Sequence, residues 1–203
     1  MPGEIFVVTA PSGTGKTTLL KPLMAADSRL RFSISYTTRP PRPGEVDGQD
    51  YFFVSPAEFR RLRDTGALAE WVEQFGYGYG TSRAWVREMV QSGSDLVFDL
   101  DSRGARALKQ AFPPATLIFI LPPSLEELAR RLENRGGLDP AELARRLENG
   151  RAELQEVPWY DYLVINDDLA SALANLQAVV QAARCRTSQL WPHLAPHYLL
   201  HDP

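Results

Sequence analysis

Residues 4–26 read EIFVVTAPSGTGKTTLLKPLMAA, and the order of features in this stretch decides the fold. The β-branched run at 4–9 has the composition of a short buried strand. The segment APSGTGKT, Ala10 to Thr17, follows it and ends in the Gly-Lys-Thr of a phosphate-binding loop. Gly13 and Gly15 let the backbone curl so that several N–H groups face one anion, and the helical spacing from Lys16 to Ala26 adds a positive helix end. Ala10, Pro11, Ser12, Gly13, Thr14 and Gly15 therefore line a P-loop cradle. In it Lys16 is a point charge for the β- and γ-phosphates, and Thr17 offers a hydroxyl for Mg²⁺. Ala10 stands where the full pattern prefers glycine. Pro22 removes one backbone bond inside the helix and predicts a kink or an early end.

Working outward, apolar runs at Leu96 to Leu100, Ala115 to Leu121 and Tyr162 to Ile165 alternate with helical stretches, as a parallel sheet covered by helices requires. Helix starts are marked by Ser55 with Pro56 and Glu58, Ser124 with Glu127, and Asp139 with Pro140 and Glu142. The expected fold is α/β, a three-layer α/β/α core on a parallel sheet, formed by residues 1–34, 83–125 and 155–184. A polar, Gly/Pro-rich segment at 35–82 predicts a small mixed β/α insert. An Arg-rich helical hairpin at 126–154 predicts a lid, and 185–203, with Pro192 and Pro196, a loosely ordered tail. All of these belong to one folding unit.

A chain of 203 residues with 44% hydrophobic and 23% charged residues supports one substantial core. Its net charge of −3 gives no field for gathering nucleic acid. The single cysteine, Cys185, cannot close an internal disulfide, is read as a buried small hydrophobe, and fits a reducing compartment. Met1 runs into the first strand without the pattern of a signal peptide, and no apolar run approaches the roughly 20 residues that span a bilayer. A cytoplasmic, membrane-free protein is expected. His193, His197 and His201 are spaced to share a helix face, but Pro196 interrupts that helix and no thiol or carboxylate cluster accompanies them, so no metal site is expected there.

The cradle alone says only that a nucleotide binds. Residues 35–53 read SYTTRPPRPGEVDGQDYFF, joining arginines, a glycine turn and a tyrosine. Arg39 and Arg42 are planar forks matched to phosphate oxygens, and Tyr51 adds a hydroxyl. This run resembles the signature of the guanylate kinase family, in which such a segment captures the phosphate of GMP. The resemblance covers about residues 4–184. It further implies that Ser35, Glu70 and Thr81 read the guanine base, with Tyr79 and Gly80 beside them. One carboxylate would accept both the N1–H and the exocyclic amine of guanine. From spacing alone Glu70 is as readily a surface carboxylate. Residues 77–80 read YGYG where the family usually has an Asn-Tyr-Tyr-Gly-like run.

LVFDLDSRGA at 96–105 is a buried strand pattern ending in carboxylates, where a parallel sheet presents its ligands. It resembles the family's D-I-D-x-Q-G run, with Arg103 in place of glutamine. The resemblance assigns Asp101 to the acceptor side and Asp99 to Mg²⁺ through water; either carboxylate could instead cap the next helix. In the hairpin, Arg131, Arg135, Arg146 and Arg151 match the family's lid. Arg135 and Arg146 would reach the transferring group, and Arg131 and Arg151 would assist, while each taken singly also fits a solvated helix face. Asn166, in VINDD, matches a position that receives the adenine of ATP, and is equally a normal turn residue.

The implied reaction is transfer of the γ-phosphoryl group from ATP to GMP with Mg²⁺. Catalysis is carried by Lys16, Arg39, Arg135 and Arg146 through alignment and electrostatics rather than a covalent nucleophile. The rivals are a kinase-like binding module for protein partners, which needs neither Lys16 nor the lid arginines, and a kinase for another acceptor, which does not need Ser35, Glu70 and Thr81 together. Whether the enzyme is a monomer or a homo-oligomer is not legible in the sequence.

Overall fold

The computed structural model describes residues 1–74, 76–134 and 139–199. Strand β1 (Ile5–Thr9) leads through the glycine loop into α1 (Lys16–Ala26), followed by β2 (Leu30–Phe32). Next come β3 (Ser35–Thr37), β4 (Tyr51–Phe53), α2 (Pro56–Asp64), β5 (Leu68–Gln74) and β6 (Tyr77–Ser82). The chain continues through α3 (Arg83–Gln91), β7 (Asp95–Asp99), α4 (Ser102–Ala111) and β8 (Thr116–Leu121). It closes with α5 (Leu125–Asn134), α6 (Pro140–Leu154), β9 (Tyr162–Ile165), α7 (Leu169–Arg184) and α8 (Thr187–Leu199).

Five parallel strands form the main sheet in the order β2-β7-β1-β8-β9. Strand β1 is at its centre and wholly buried, as its β-branched composition requires when both faces are covered. One face packs Phe6, Val8, Ile118 and Ile120 against Leu19 and Leu23 of α1 and Leu176 and Val180 of α7. The other packs Val7, Leu96, Phe98 and Leu117 against Val86 of α3 and Leu108 of α4. A second sheet of four strands, β4-β3-β6-β5, is built within residues 35–82, with β3 parallel to β4 and antiparallel to β6.

The expected helix starts form as read. Ser55 Oγ accepts from the N–H of Glu58, Ser124 Oγ from that of Glu127, and Asp139 Oδ1 from that of Glu142. Helix α1 does not end at Pro22 but runs on to Ala26; the carbonyl deprived of its donor belongs to Thr18, which is exposed and can meet water. The tail expected to be loose instead forms α8 across Pro192 and Pro196. None of its residues is buried, so the carbonyls left without N–H partners face solvent. His193 and His197 are exposed on it, and among the described residues no three or more His, Cys, Asp or Glu side chains come together as a metal-holding group. His201 lies outside the described residues. Cys185, expected to be buried, is exposed after the end of α7. Among the described residues no helix is long and apolar enough to cross a membrane.

At the edge of the sheet opposite the glycine loop, a buried charge cluster ties four segments together. Asp95, wholly buried, accepts from the Glu4 N–H at 2.7 Å and from Arg184 Nε at 2.7 Å. Arg184 also pairs with Asp27 at 2.7 Å, joining the end of α7 to the end of α1. Arg29 stands farther from Asp95, at 3.5 Å. Removing Arg184 strands a buried carboxylate, so Arg184→Ala is expected to lower the unfolding free energy by about 3 kcal/mol, measured by urea denaturation; a loss below about 1 kcal/mol would show the pair to be peripheral.

Candidate active site

The sheet's C-terminal edge holds the glycine loop. Gly13 and Gly15 have φ of 94° and 96°, in the left-handed region that a side chain strains to enter. Space is closed as well: a Cβ on Gly13 would come within 2.8 Å of Leu132, and one on Gly15 within 2.6 Å of Asn166 Nδ2. The Thr14 carbonyl accepts from Asn166 Nδ2 at 2.7 Å and from Arg131 Nη1 at 3.2 Å. Arg131 Nη2 donates to the Asn166 carbonyl at 3.0 Å. The Asn166 side chain, expected either to receive adenine or to serve as a turn residue, is buried and holds the loop.

Lys16, in the first turn of α1, is ion-paired with Asp99 at the end of β7. Thr17 is exposed beside it. A hydroxyl and a carboxylate are hard oxygen donors, few in number, and suit Mg²⁺, which is usually held by one or two protein oxygens together with phosphate and water.

The second sheet brings Ser35, Glu70 and Thr81 into one row. Thr81 Oγ1 donates to Glu70 Oε1 at 2.7 Å, and Ser35 Oγ lies 3.2 Å from Thr81 Oγ1. Since Thr81 has one proton and gives it to Glu70, Ser35 is the donor in the second bond. The pairing register of β5 with β6 shifts between Leu68 and Glu70, a bulge of the kind that re-aims a side chain. Here it accompanies burial of Leu68, Ala69 and Glu70 in succession. Burial pushes the Glu70 carboxyl up to about 7; the Thr81 hydrogen bond opposes this and the charge of Asp101 adds to it. Asp101 caps α4, accepting from the Gly104 N–H at 2.8 Å, and it is this same Asp101 whose charge bears on Glu70. Arg103 stands 3.6 Å from Asp101 and is largely exposed.

Arg39 is buried, its guanidinium 5.4 Å from the centre of the Tyr51 ring. The rings of Tyr51 and Tyr79 meet edge to face at 6.1 Å. Arg42 is exposed in the same loop. Glycine at 78 has a packing reason, since a Cβ there would come within 2.6 Å of the Phe59 ring; Gly80 is equally tight against the Glu70 carbonyl and Leu68.

Between β5, the start of α4 and α6 opens a cleft of about 590 Å³, lined by Gln74, Asp101, Arg103, Arg106, Asn149 and Glu153. On the helical pair, Arg131 and Arg146 pair with the glutamates four residues before them, Glu127 and Glu142, at 2.7 and 2.8 Å. Arg146 Nη1 also reaches Ser12 Oγ at 3.4 Å. Arg151 is exposed, 4.0 Å from Glu148. Arg135 lies outside the described residues. Sequence reasoning missed Glu45, which binds Arg39, and Glu153, whose half-buried carboxyl is pushed up by burial while Lys16 draws it down. Glu45 sits within the quoted acceptor run, a signal that was available; Glu153 carries none.

Residues 3–183 match the family model described as Guanylate kinase. The chain is similar to a guanylate kinase of Aromatoleum aromaticum, 47% identical over 92% of this chain and 91% of that protein. It is also similar to one of Dechloromonas aromatica, 48% identical over 90% and 91%. Among solved structures it resembles the guanylate kinase of Anaplasma phagocytophilum, with a TM-score of 0.71 at 31% identity over 99% of this chain and 98% of that one.

The hydrogen bond from Thr81 favours the ionised form of Glu70. Thr81→Val is therefore expected to raise the Glu70 midpoint further above about 7. Carboxyl-carbon NMR titration measures it, and a midpoint that stays or falls would contradict the row described above.

Proposed function

This chain belongs to the guanylate kinase family, and from that premise we propose how its residues carry the reaction, transfer of the γ-phosphoryl group of ATP to GMP to give ADP and GDP. The observation that carries the assignment is the presence of two different sites within electrostatic reach of one another, since Glu153 feels both Lys16 and Asp101, and Asp101 in turn bears on Glu70. One is a glycine loop with Lys16 at the C-terminal edge of the parallel sheet, and the other is a buried carboxylate row beside a buried arginine.

The loop from Ala10 to Thr17 receives the ATP phosphates on its N–H groups, and Lys16 leaves Asp99 to neutralise the β- and γ-oxygens. Thr17 and, through water, Asp99 would hold Mg²⁺, which when bound spreads the phosphate charge and fixes the geometry of the triphosphate. Arg39, Arg42, Tyr51 and Tyr79 receive the GMP phosphate. Glu70 accepts the N1–H and amine of guanine, Thr81 holds Glu70 and is itself held by Ser35, both hydroxyls reach the base edge, and Gly80 and Asp101 complete that wall. Adenine has no such donor pair and would leave the buried carboxylate unmatched, which gives large discrimination.

Phosphoryl transfer has a loose transition state, so alignment and charge are what the protein supplies. Residues 126–154 act as the lid over the core of 1–34, 83–125 and 155–184, with 35–82 as the acceptor insert. Arg135 and Arg146 reach the transferring group from the lid, Arg151 assists, and Arg131 works at the donor side with Asn166. Closure excludes water and prevents idle hydrolysis of ATP. The setting is purine nucleotide metabolism in the cytoplasm, where both substrates are solutes.

Lys16→Ala is expected to lower kcat by roughly 100-fold or more with an unchanged far-UV circular dichroism spectrum. In a coupled ADP-release assay with GMP, AMP, UMP and CMP, only GMP should turn over at an appreciable rate, and Glu70→Ala should narrow the preference for GMP over AMP by about 100-fold. Equal rates on AMP in the unaltered enzyme would defeat the reading of the base pocket.

The pH dependence follows from the same residue. The ionised carboxylate accepts both guanine donors and the protonated one does not, so binding must expel the proton that burial retains up to about pH 7. KM for GMP is expected to fall as pH rises from 6 to 8 and to level off above 8. Glu70→Gln should keep only the part due to the phosphate of GMP itself, which ionises near about pH 6. An unaltered slope in that variant would remove Glu70 from the base pocket.

A further inference from the structure

The acceptor loop contains a carboxylate to which the reaction gives no task. Glu45 Oε1 accepts from Arg39 Nη2 at 2.7 Å, and Glu45 Oε2 accepts from the backbone N–H of Arg42 at 2.7 Å. The same turn is closed by the Glu45 N–H donating to the Arg42 carbonyl at 3.0 Å. Arg39 Nη1 donates to the Pro40 carbonyl at 2.7 Å, while its guanidinium rests near the rings of Tyr51 and Phe53, at 5.4 and 5.9 Å. One carboxylate thus holds the side chain of one arginine and the backbone of the other.

Arg39 is 9% exposed, and a cation so withdrawn from water is costly unless paired. Around it the loop offers little else: Pro40, Pro41, Arg42, Pro43 and Gly44 are all exposed, so no packing fixes their course. Two of the guanidinium's five N–H groups are thereby committed to the loop. The fork is therefore oriented before a ligand arrives, which spares the ordering cost on binding.

We infer that Glu45 is a positioning residue for phosphoryl transfer, fixing the Arg39 fork and the Arg42 backbone as one clamp for the acceptor monophosphate. The inference rests on the reading that Arg39 and Arg42 meet the phosphate of GMP. A competing role, in which Glu45 occupies the phosphate's place and must leave when GMP binds, fits the geometry less well. Its second oxygen is anchored to backbone rather than to the fork, so departure would cost the Arg42 N–H its acceptor as well as break the ion pair. Pairing with Arg39, together with the Arg42 N–H, holds the Glu45 carboxyl below its ordinary value, which keeps it anionic through the neutral range.

The test is steady-state kinetics of Glu45→Ala, Glu45→Gln, Arg39→Ala and the Arg39→Ala/Glu45→Ala double variant, varying GMP and ATP separately. Hydrogen bonds to charged groups of this kind convert to roughly 10-fold or more in affinity, so Glu45→Ala should raise KM for GMP by about that factor and leave KM for ATP within about twofold. Glu45→Gln keeps one acceptor oxygen where the carboxylate has two, and should recover some of the loss. On the Arg39→Ala background the Glu45→Ala change should add less than about threefold, because residues acting through one another are not additive. An unchanged KM for GMP in Glu45→Ala overturns the inference, and a lowered KM in Glu45→Gln would identify a competitor instead. An unchanged KM for GMP in Arg39→Ala would overturn the phosphate-clamp reading itself, a failure distinct from that of Glu45 alone.

Discussion

A backbone loop that turns its N–H groups inward to hold an anion must turn carbonyls outward, and those carbonyls need donors of their own. The Thr14 peptide shows how the chain meets this demand. Its oxygen takes one hydrogen bond from Asn166, past the end of β9, and one from Arg131 of α5. These elements are brought to the loop by the order of strands: β8 and β9 lie successively to one side of β1, so the segments that follow them project over the same edge. The glycines complete the fit, because a side chain at position 13 would collide with Leu132 and one at 15 with Asn166 itself. The loop's curvature, the seat of the helical pair and the end of the sheet are thus one packing problem with one solution.

The second site is governed by the opposite economy. Where the loop is rich in donors, the row of Ser35, Thr81 and Glu70 presents a buried acceptor whose charge the surroundings resist. A carboxyl raised to about 7 is held closer to neutral than its ordinary value, and a partner that supplies two donors restores the charged state. In the proposed reading, selectivity and pH response come from one source, the cost of burying Glu70. The β5–β6 bulge and the neighbouring glycines at 78 and 80 let the strands close tightly enough to impose that burial.

Much of this was legible in the sequence because it depends on local chemistry. The β-branched run at 4–9 pointed to β1, the later apolar runs to β7, β8 and β9, and side-chain caps to the starts of α2, α5 and α6. Strand β2 was not legible: it is three residues long, two of them exposed, and it exists only through its pairing with β7. Helix α8 was read as a loose tail because proline is costly in a helix interior, a rule that weakens where freed carbonyls face water. Cys185 was read as buried from residue type alone, whereas its place just past the end of α7 leaves it in solvent. In the candidate site, the run at 35–53 pointed to Arg39 and the family resemblance to Glu70 and Thr81, but neither gave the contacts they make, Arg39 with Glu45 and Thr81 with Glu70. That Asn166 supports the loop depends on a partner 152 positions away, and no spacing rule reaches that far.

The arginines of the helical pair show why charge counting alone cannot separate structure from function. Arg131 and Arg146 each have a glutamate one turn earlier, the arrangement expected of a solvated helix face. Yet each also reaches the glycine loop, Arg131 at the Thr14 carbonyl and Arg146 at Ser12. Arg145 and Arg130, which make similar pairs with the same glutamates, make no such reach and are far more exposed, at 66% and 64% for their side chains against 32% and 24%. One glutamate thus serves two arginines on each helix, one turned to water and one turned to the loop. The glutamate steadies the inner arginine while leaving part of its guanidinium unspent, and the outer arginine moderates the glutamate's own charge. The helix-face motif and the loop-facing motif are the same residues seen from two sides, and the packing of the pair against Pro11 and Gly13 decides which side each arginine shows.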